Sequence, residues 1–561
     1  MFSRRNFLRI SSLLGGGVVL STALSGRSAL AQQPELSAAT FAHGVASGDP
    51  LSDGMILWTR ATPQGAPASL TLAWELAEDD AFHDILRSST VEAEAARDYT
   101  LKIDVRELEA GKTYYYRFRS ATAESGSGRA KTLPVAGAAA VKLAILSCAN
   151  YPAGYFHAYR EASRIEDLDA FVHLGDYIYE YGANGYATER AQALGRLFPD
   201  DNAGELYTLE DYRRRYALYR RDDDLQAMHA AAPCIAVWDD HEVANDTWRD
   251  GAENHSADEG DFYARKLAAV QAWHEWLPVR PPAGEQSEQI YRSFDFGGLL
   301  ALHMLDTRII ARDKQLEYAD YRDPETGQMD AEGFTVDLSR ADRALLGDSQ
   351  LAWLGAQLAG SEATWQLLGQ QVLMGRMFMP AEVLAAESYR DIPPRIEALA
   401  VLKSRLLSGE SLSQQDLDRL QRVTPYNLDA WDGYPAEREK LYAMAQQAGK
   451  QIVSLAGDTH NAWYSELTDR NGKACGVELA TSSVTSPGME VYFQMNTDTA
   501  ERLAQGLTLL IDDLQYCNLH QRGFLVVTAT AADLQAEWTF IDTVHARDYR
   551  IAGVHREYFT A

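Results

Sequence analysis

Six apolar runs in this chain stop abruptly at clusters of reactive side chains, and that pattern restricts the fold more than any other feature. The runs are VKLAILSCAN, DAFVHLGDYIY, PCIAVWDDHE, LLALHMLDTR, WQLLGQQVLM and IVSLAGDTHNAWY. Each is short and nearly continuous in apolar character, and helical stretches separate them. Strands buried on both faces read this way, and strands alternating with helices build α/β layers. In such layers ligands bind in the loops beyond the strand ends, which is where the polar residues of this sequence collect. The fold class expected is α/β.

The stretch upstream has a different texture. MILWTR, LTLAWEL, YTLKIDV and TYYYRFRS alternate apolar and polar positions between turn signals, and LEAGKTYYYRF sets a Gly turn before a tyrosine-rich strand. This predicts a small, fibronectin-like β-sandwich over 38–135, joined by the soft linker PVAGAAA to an α/β domain over 141–545, with a C-terminal tail at 546–561. At 561 residues the chain is too long for one ordinary core. Residues 180–228 read as an inserted helical segment, with Arg213–Arg215 and Arg220–Arg221 expected on solvated helix faces. Residues 310–350 and 376–435 are polar, Pro- and Gly-punctuated, and placed to cap a site.

The N-terminus carries an address. Arg4 and Arg5 in SRRNFLRI precede the small, apolar SSLLGGGVVLSTALS, and Ala29-Leu30-Ala31 offers a small-x-small cleavage site. The pattern resembles a twin-arginine signal peptide over 1–31, read by the twin-arginine translocase, so a periplasmic or secreted location is expected. A retained membrane anchor is the alternative, but the apolar run is short and broken by Gly and Ser. No later segment is apolar enough for a permanent membrane span. The formal charge of −28 becomes −32 when the four arginines of 1–31 are lost. So acidic a protein is a poor binder of nucleic acid, and rich in ligands for hard cations.

Four cysteines, Cys148, Cys234, Cys475 and Cys517, are too few for a disulfide scaffold. Cys475 and Cys517 form the candidate pair, and Cys234 reads as a core residue.

Taken together, the strand ends offer Ser147-Cys148-Ala149-Asn150, Gly175-Asp176-Tyr177-Ile178-Tyr179, Asp239-Asp240-His241-Glu242 and Gly457-Asp458-Thr459-His460-Asn461. These residue types suit two adjacent metal ions, because a carboxylate can bridge cations whereas imidazole, phenolate and thiolate each bind one. Asp176 and Tyr179 are close enough to reach one ion, and an extended loop aims Asp458 and His460 at different ions.

The set resembles the calcineurin-like metallophosphoesterases, and within them the PhoD-like alkaline phosphatase/phosphodiesterase group. The resemblance covers nearly the entire chain through FAHGVASGDPLSDGMILWTR, SCANY, HLGDYIYEYG, WDDHEVANDTW, LDTR and GDTHNAWY. It implies a four-layer αββα sandwich behind the β-sandwich domain. It also implies that Asp176 bridges the ions, with Cys148, Tyr179 and His460 around Fe3+ and Asp240 and Asp458 around one or two Ca2+. Hard oxygen donors suit Ca2+, and phenolate and thiolate suit Fe3+. Gln371 falls where relatives often carry a histidine ligand, although Gln370 is adjacent.

The reaction expected is hydrolysis of a small phosphate ester, mono- or diester, by in-line attack of a metal-bound hydroxide. His241 would bind phosphate or protonate the leaving group. Asn150 and Arg308 are candidate phosphate contacts, each alternatively a turn residue or a structural ion pair. Glu242 and Asp239 would orient their neighbours. A phospholipase-D-like diesterase is one alternative reading. A non-catalytic secreted metal- or polymer-binding protein is another. The sequence sets no oligomeric state.

Overall fold

The six apolar runs become strands of two sheets. The computed structural model describes residues 34–282, 288–386 and 388–561, with the backbone of 18–20. The signal segment expected over 1–31 lies outside the described residues apart from that short stretch. In the first sheet Ala140–Leu146 pairs in parallel with Ala170–His173, which pairs in parallel with Cys234–Ala236. Arg522–Thr530 runs antiparallel along the other side of Ala140–Leu146. In the second sheet Leu300–Met304, Trp365–Gly369 and Ile452–Ala456 are parallel neighbours.

One apolar core joins the two sheets, with Leu143, Ile145 and Phe171 from the first and Leu302, Leu367 and Leu455 from the second. A second core sets Leu368 and Ile452 against Leu354, Leu441 and Leu507 of the helices Gly347–Gly360, Pro435–Gln447 and Thr497–Leu510. Strands covered on both faces explain the unbroken apolar runs. The α/β class holds.

The N-terminal β-sandwich is present. A four-stranded sheet, Gly128–Lys131, Thr113–Arg119, Ser69–Ala77 and Ile85–Glu94, packs Leu72, Trp74 and Tyr116 against Leu57 and Ile103 of facing strands. The Tyr114 hydroxyl accepts from the Glu109 backbone N–H at 2.9 Å, the hydrogen bond that closes a tyrosine corner. The facing strands are not separate from the α/β portion, however. Val45–Leu51 lies beside Cys234–Ala236 through Gly48, so the sandwich extends the first sheet. A Cβ on Gly48 would sit 2.4 Å from the Pro278 carbonyl oxygen, so this junction requires glycine.

Three expectations need correction. Residues 546–561 are mostly no free tail, because Ile551–Thr560 pairs with Asp533–Ile541 as the edge strand of the first sheet. The Cys475–Cys517 disulfide is absent, and all four cysteines are free. The strands carrying those two residues lie on opposite sides of Ala462–Thr468. Two strand spacings alone separate them by roughly 9.5 Å, and the register, with Cys517 opposite Trp463 and Cys475 beside Leu467 and Thr468, adds to this, well beyond the roughly 7 Å that a disulfide spans between Cα atoms.

The arginine-rich segment is the third correction. Arg215 and Arg220 are fully buried, and Arg213 makes a two-pronged ion pair with Glu275. The helix Leu209–Tyr219 packs against Phe262–Trp276 and buries this side of the segment, whereas Arg214 and Arg221 are exposed, as expected. Arg215 donates to the carbonyls of Tyr179, Tyr181, Asn202 and Gly204 and to Asn202 Oδ1, and stacks over Phe198 at 3.8 Å. One side chain thereby pins the whole loop that follows Tyr179.

Replacing Arg215 with Leu leaves these buried acceptors without donors. The expected loss is about 3 kcal/mol, read as a lowered urea midpoint of the purified protein. A loss under about 1 kcal/mol would show that the loop holds itself.

Candidate metal centre

The site forms where four strands end. Cys148, Asp176, Asp458 and His460 all take left-handed backbone conformations, with φ of 59°, 55°, 61° and 64°. Each such residue costs about 1–2 kcal/mol, and a network of backbone bonds compensates. Cys148 N–H donates to Gly175 O at 3.2 Å, Ala149 N–H to Asp176 O at 2.9 Å, and Gly457 N–H to Gln371 O at 2.7 Å. Gly175 (φ 102°) has no room for a Cβ, which would fall 2.4 Å from the Asp239 backbone nitrogen. Glu242 ties two loops together, accepting from the N–H groups of Asp176, Tyr177 and Asp239 at 2.9, 2.6 and 2.6 Å. It orients neighbours, as its position beside His241 led us to expect.

Three overlapping groups of donors result: Cys148, Asp176 and His460; Asp176, Asp240 and His241; Asp239, Asp240 and Asp458. Within each group the donor atoms lie within 4.8 Å of one another. Asp176 belongs to two groups and Asp240 to two, so the groups form one continuous cluster. Tyr179 joins the first, its hydroxyl donating to Asp176 Oδ2 at 2.8 Å and lying 3.3 Å from His460 Nε2. His460 Nδ1 is 2.8 Å from the Pro487 carbonyl. A proton held there leaves Nε2 as a lone-pair donor toward the cluster.

Proton affinities report how crowded this negative charge is. Burial, and then the Asp176 carboxylate, push both the Cys148 thiol and the Tyr179 phenol well above their usual ranges. Burial likewise drives Asp239 and Asp458 well above the carboxylate range, against the pull of Arg308. Burial opposes charging His241, but Asp240 and Glu180 outweigh it and hold the imidazolium well above the ordinary value. Crowded in this way, Cys148, Tyr179, Asp239 and Asp458 have a raised affinity for protons. Asp176 Oδ1, Asp239 Oδ2 and Asp240 Oδ1 are buried and have no hydrogen-bond partner. Buried carboxylate oxygens without partners are costly, and cation binding removes that cost. The donor set fits metal ions: sulfur, phenol and imidazole at one end, carboxylates at the other.

Two expected site residues play other parts. Arg308 does not face solvent for phosphate; it is fully buried, bonding Asp239, both oxygens of Asp429 at 2.9 and 2.8 Å, and Asp458 at 2.8 Å. It serves as the carboxylates' counter-ion, pairing with Asp239, Asp240, Asp429 and Asp458. Gln371 is not free to ligate. Its oxygen accepts from Thr307 N–H and Oγ1, at 3.1 and 2.6 Å, and its amide donates to Trp238 O and Leu305 O. Asn150 is buried, with its Nδ2 3.3 Å from Tyr186 O and its Oδ1 unpartnered.

Four contributors were missed. Glu180 meets His241 Nδ1 at 2.7 Å, and its place directly after Tyr179 was a usable signal. Ser486 donates to the Tyr179 hydroxyl at 2.6 Å, Asp429 pairs with Arg308, and the Tyr186 hydroxyl lies 3.3 Å from His460 Nδ1. Nothing local marks these three. Asp429 does come from the 376–435 region expected to cap the site.

Comparison with known proteins identifies the family. The profile of the family "PhoD-like phosphatase" matches residues 143–538, and that of "PhoD-like phosphatase, N-terminal domain" matches residues 27–134. Alkaline phosphatase D of Bacillus subtilis (strain 168) is 33% identical over 516 residues, which is 89% of this chain and 78% of that protein. A solved structure described as "Structure of PhoD" superposes with a TM-score of 0.74 at 30% identity, covering 94% of this chain and 91% of that one. The chain belongs to the PhoD-like phosphatase family and is a phosphoesterase hydrolase.

Proposed function

We propose that this enzyme is an exported, metal-dependent hydrolase of small phosphate mono- or diesters. The observation that carries the reading is the continuous cluster sharing Asp176 and Asp240, with three buried carboxylate oxygens left without a hydrogen bond. Cys148, Asp176, Tyr179 and His460 would hold Fe3+. Asp176, Asp240 and Asp458 would hold Ca2+, with Arg308 already supplying one positive charge to Asp458. Bound cations there supply Lewis acidity to the phosphoryl oxygens and to an attacking water.

The chain's own residues do the rest. His241, oriented by Glu180 through Nδ1, keeps Nε2 for the substrate and holds a proton for the leaving oxygen. Its ring rests 4.2 Å from that of Tyr179, which fixes its plane. Asn150 offers a buried amide at the same strand end as Cys148. Ser486 and Pro487 steady Tyr179 and His460 from the opposite side. Export through the twin-arginine translocase is supported by Arg4-Arg5 and the small-residue site at Ala29–Ala31. Among the described residues no helix is long and apolar enough to cross a membrane.

Elemental analysis of protein purified without chelator, together with hydrolysis of p-nitrophenyl phosphate and bis-p-nitrophenyl phosphate, tests the proposal. Iron with no turnover of either ester would favour the binding-protein alternative. Cys148→Ala should lose iron and most activity. His241→Ala should keep its metal while kcat falls by about 10²–10⁴. Full iron in Cys148→Ala would refute the ligand assignment.

The pH dependence of stability has a definite sign. Burial raises Glu242 to about 8 and, with Asp429 adding to it, Asp246 to about 7. Carboxyls whose folded values exceed their unfolded ones stabilise at low pH and lose that contribution as pH rises through the folded value. Chelator-treated protein should therefore lose urea resistance between about pH 4 and pH 8, and added Ca2+ should flatten the decline. A midpoint that climbs over that window, with or without Ca2+, would contradict the charge crowding described above.

A further inference from the structure

Aromatic side chains run outward from the metal centre in an unbroken series. The Tyr186 hydroxyl, beside His460 Nδ1, accepts from the Tyr492 hydroxyl at 3.0 Å. The Tyr186 ring is parallel to that of His241 within 6° and stands 5.9 Å from the rings of Tyr179 and Tyr181. Tyr492 is thus two hydrogen-bond steps from His460, yet it is 47% exposed. Its neighbour Val491 is 55% exposed, and Tyr389 is 65% exposed. Two segments distant in sequence make this rim and are tied together. Tyr389 packs against Phe493 at 6.0 Å, and Arg390 bonds Gln494 Oε1 through Nε and Nη2 at 3.1 and 2.7 Å.

Single exposed apolar residues need no explanation, but an exposed tyrosine bonded to a neighbour of the polar cluster, with a second on the segment packed against it, offers a surface suited to a ligand. Its chemistry narrows the ligand. Both exposed rings carry hydroxyls: that of Tyr492 is held by Tyr186, and that of Tyr389, on a residue 65% exposed, would lose its water under a packed acyl chain. A planar group instead stacks on the ring face, leaving the Tyr492 hydroxyl on Tyr186 and the Tyr389 hydroxyl in water.

We propose that Tyr492 and Tyr389 form a stacking surface for the organic group of the phosphate ester, so that the rim selects planar aryl or nucleobase groups over alkyl ones. This rests on the phosphoesterase reading and deepens it. Neither residue belongs to the metal cluster, and both are exposed enough for substitution to leave the fold intact.

Two matched inhibitor pairs test it on the full-length, metal-loaded enzyme, with bis-p-nitrophenyl phosphate or p-nitrophenyl phosphate as reporter. Phenylphosphonate should bind more tightly than methylphosphonate, and adenosine 5′-monophosphate more tightly than ribose 5-phosphate. The Tyr389→Ala/Tyr492→Ala variant should shrink both preferences about five- to tenfold, the size of one or two aromatic contacts. Tyr492→Phe, which loses the bond to Tyr186 but keeps the ring face, should retain them. A wild-type enzyme without either preference, or a double variant that keeps them at normal reporter turnover, would overturn the stacking proposal and leave the phosphoesterase reading standing. A wild-type enzyme that turns over neither reporter would remove the reading beneath it.

Discussion

Mutual repulsion among buried carboxylates is the constraint on which this structure turns. Asp176, Asp239, Asp240 and Asp458 are linked through Asp240, which has donor atoms within 4.8 Å of those of each of the other three. Two like charges 4 Å apart repel by about 4 kcal/mol at an effective dielectric of 20, a large fraction of a domain's net stability. Arg308 offsets part of this by pairing with four carboxylates at once, and burial raises the proton affinity of Asp239 and Asp458. The unpartnered oxygens that remain are the electrostatic demand a pair of cations would meet.

A cluster so crowded persists only if its backbone cannot relax. Four of its residues are left-handed, and the same strain that raises the energy of each loop aims its side chain inward. Glu242 is central to holding that geometry, since its two oxygens accept from three N–H groups in two different loops. The loops beyond Tyr179 are held from outside by Arg215, a buried cation satisfied by carbonyl oxygens alone. Rigid positioning of this kind is what makes a preformed site effective in catalysis, because little reorganisation is left to occur during reaction.

Regions that carry no ligand also shape the centre. The sandwich strand Val45–Leu51 lies beside Cys234–Ala236, the strand that delivers Asp239 and Asp240. Asp429 arrives from the segment beyond the helix Gln414–Gln421, and Ser486 and Pro487 from the loop after Ala474–Ala480. The donor cluster is therefore assembled from both sheets and their connections.

Much of this was legible in the residues alone. Continuous apolar runs announced strands buried on both faces, and their abrupt polar ends marked the site. Cys148, Asp176, Tyr179, Asp240, His241, Asp458 and His460 could be named because each lies at a strand end whose position follows from local pattern. Roles that depend on a partner distant in the chain were decided only by the tertiary structure. LDTR reads equally as a phosphate clamp or an ion pair, and packing against Asp239, Asp429 and Asp458 makes Arg308 the latter. The strand order separates Cys475 from Cys517, the docking of one helix on another buries Arg215, and Thr307 claims the oxygen of Gln371. Local pattern encodes where a strand ends because apolar periodicity is a property of neighbours in sequence. Whether a side chain at that end is a ligand, a counter-ion or a strut depends on neighbours in space.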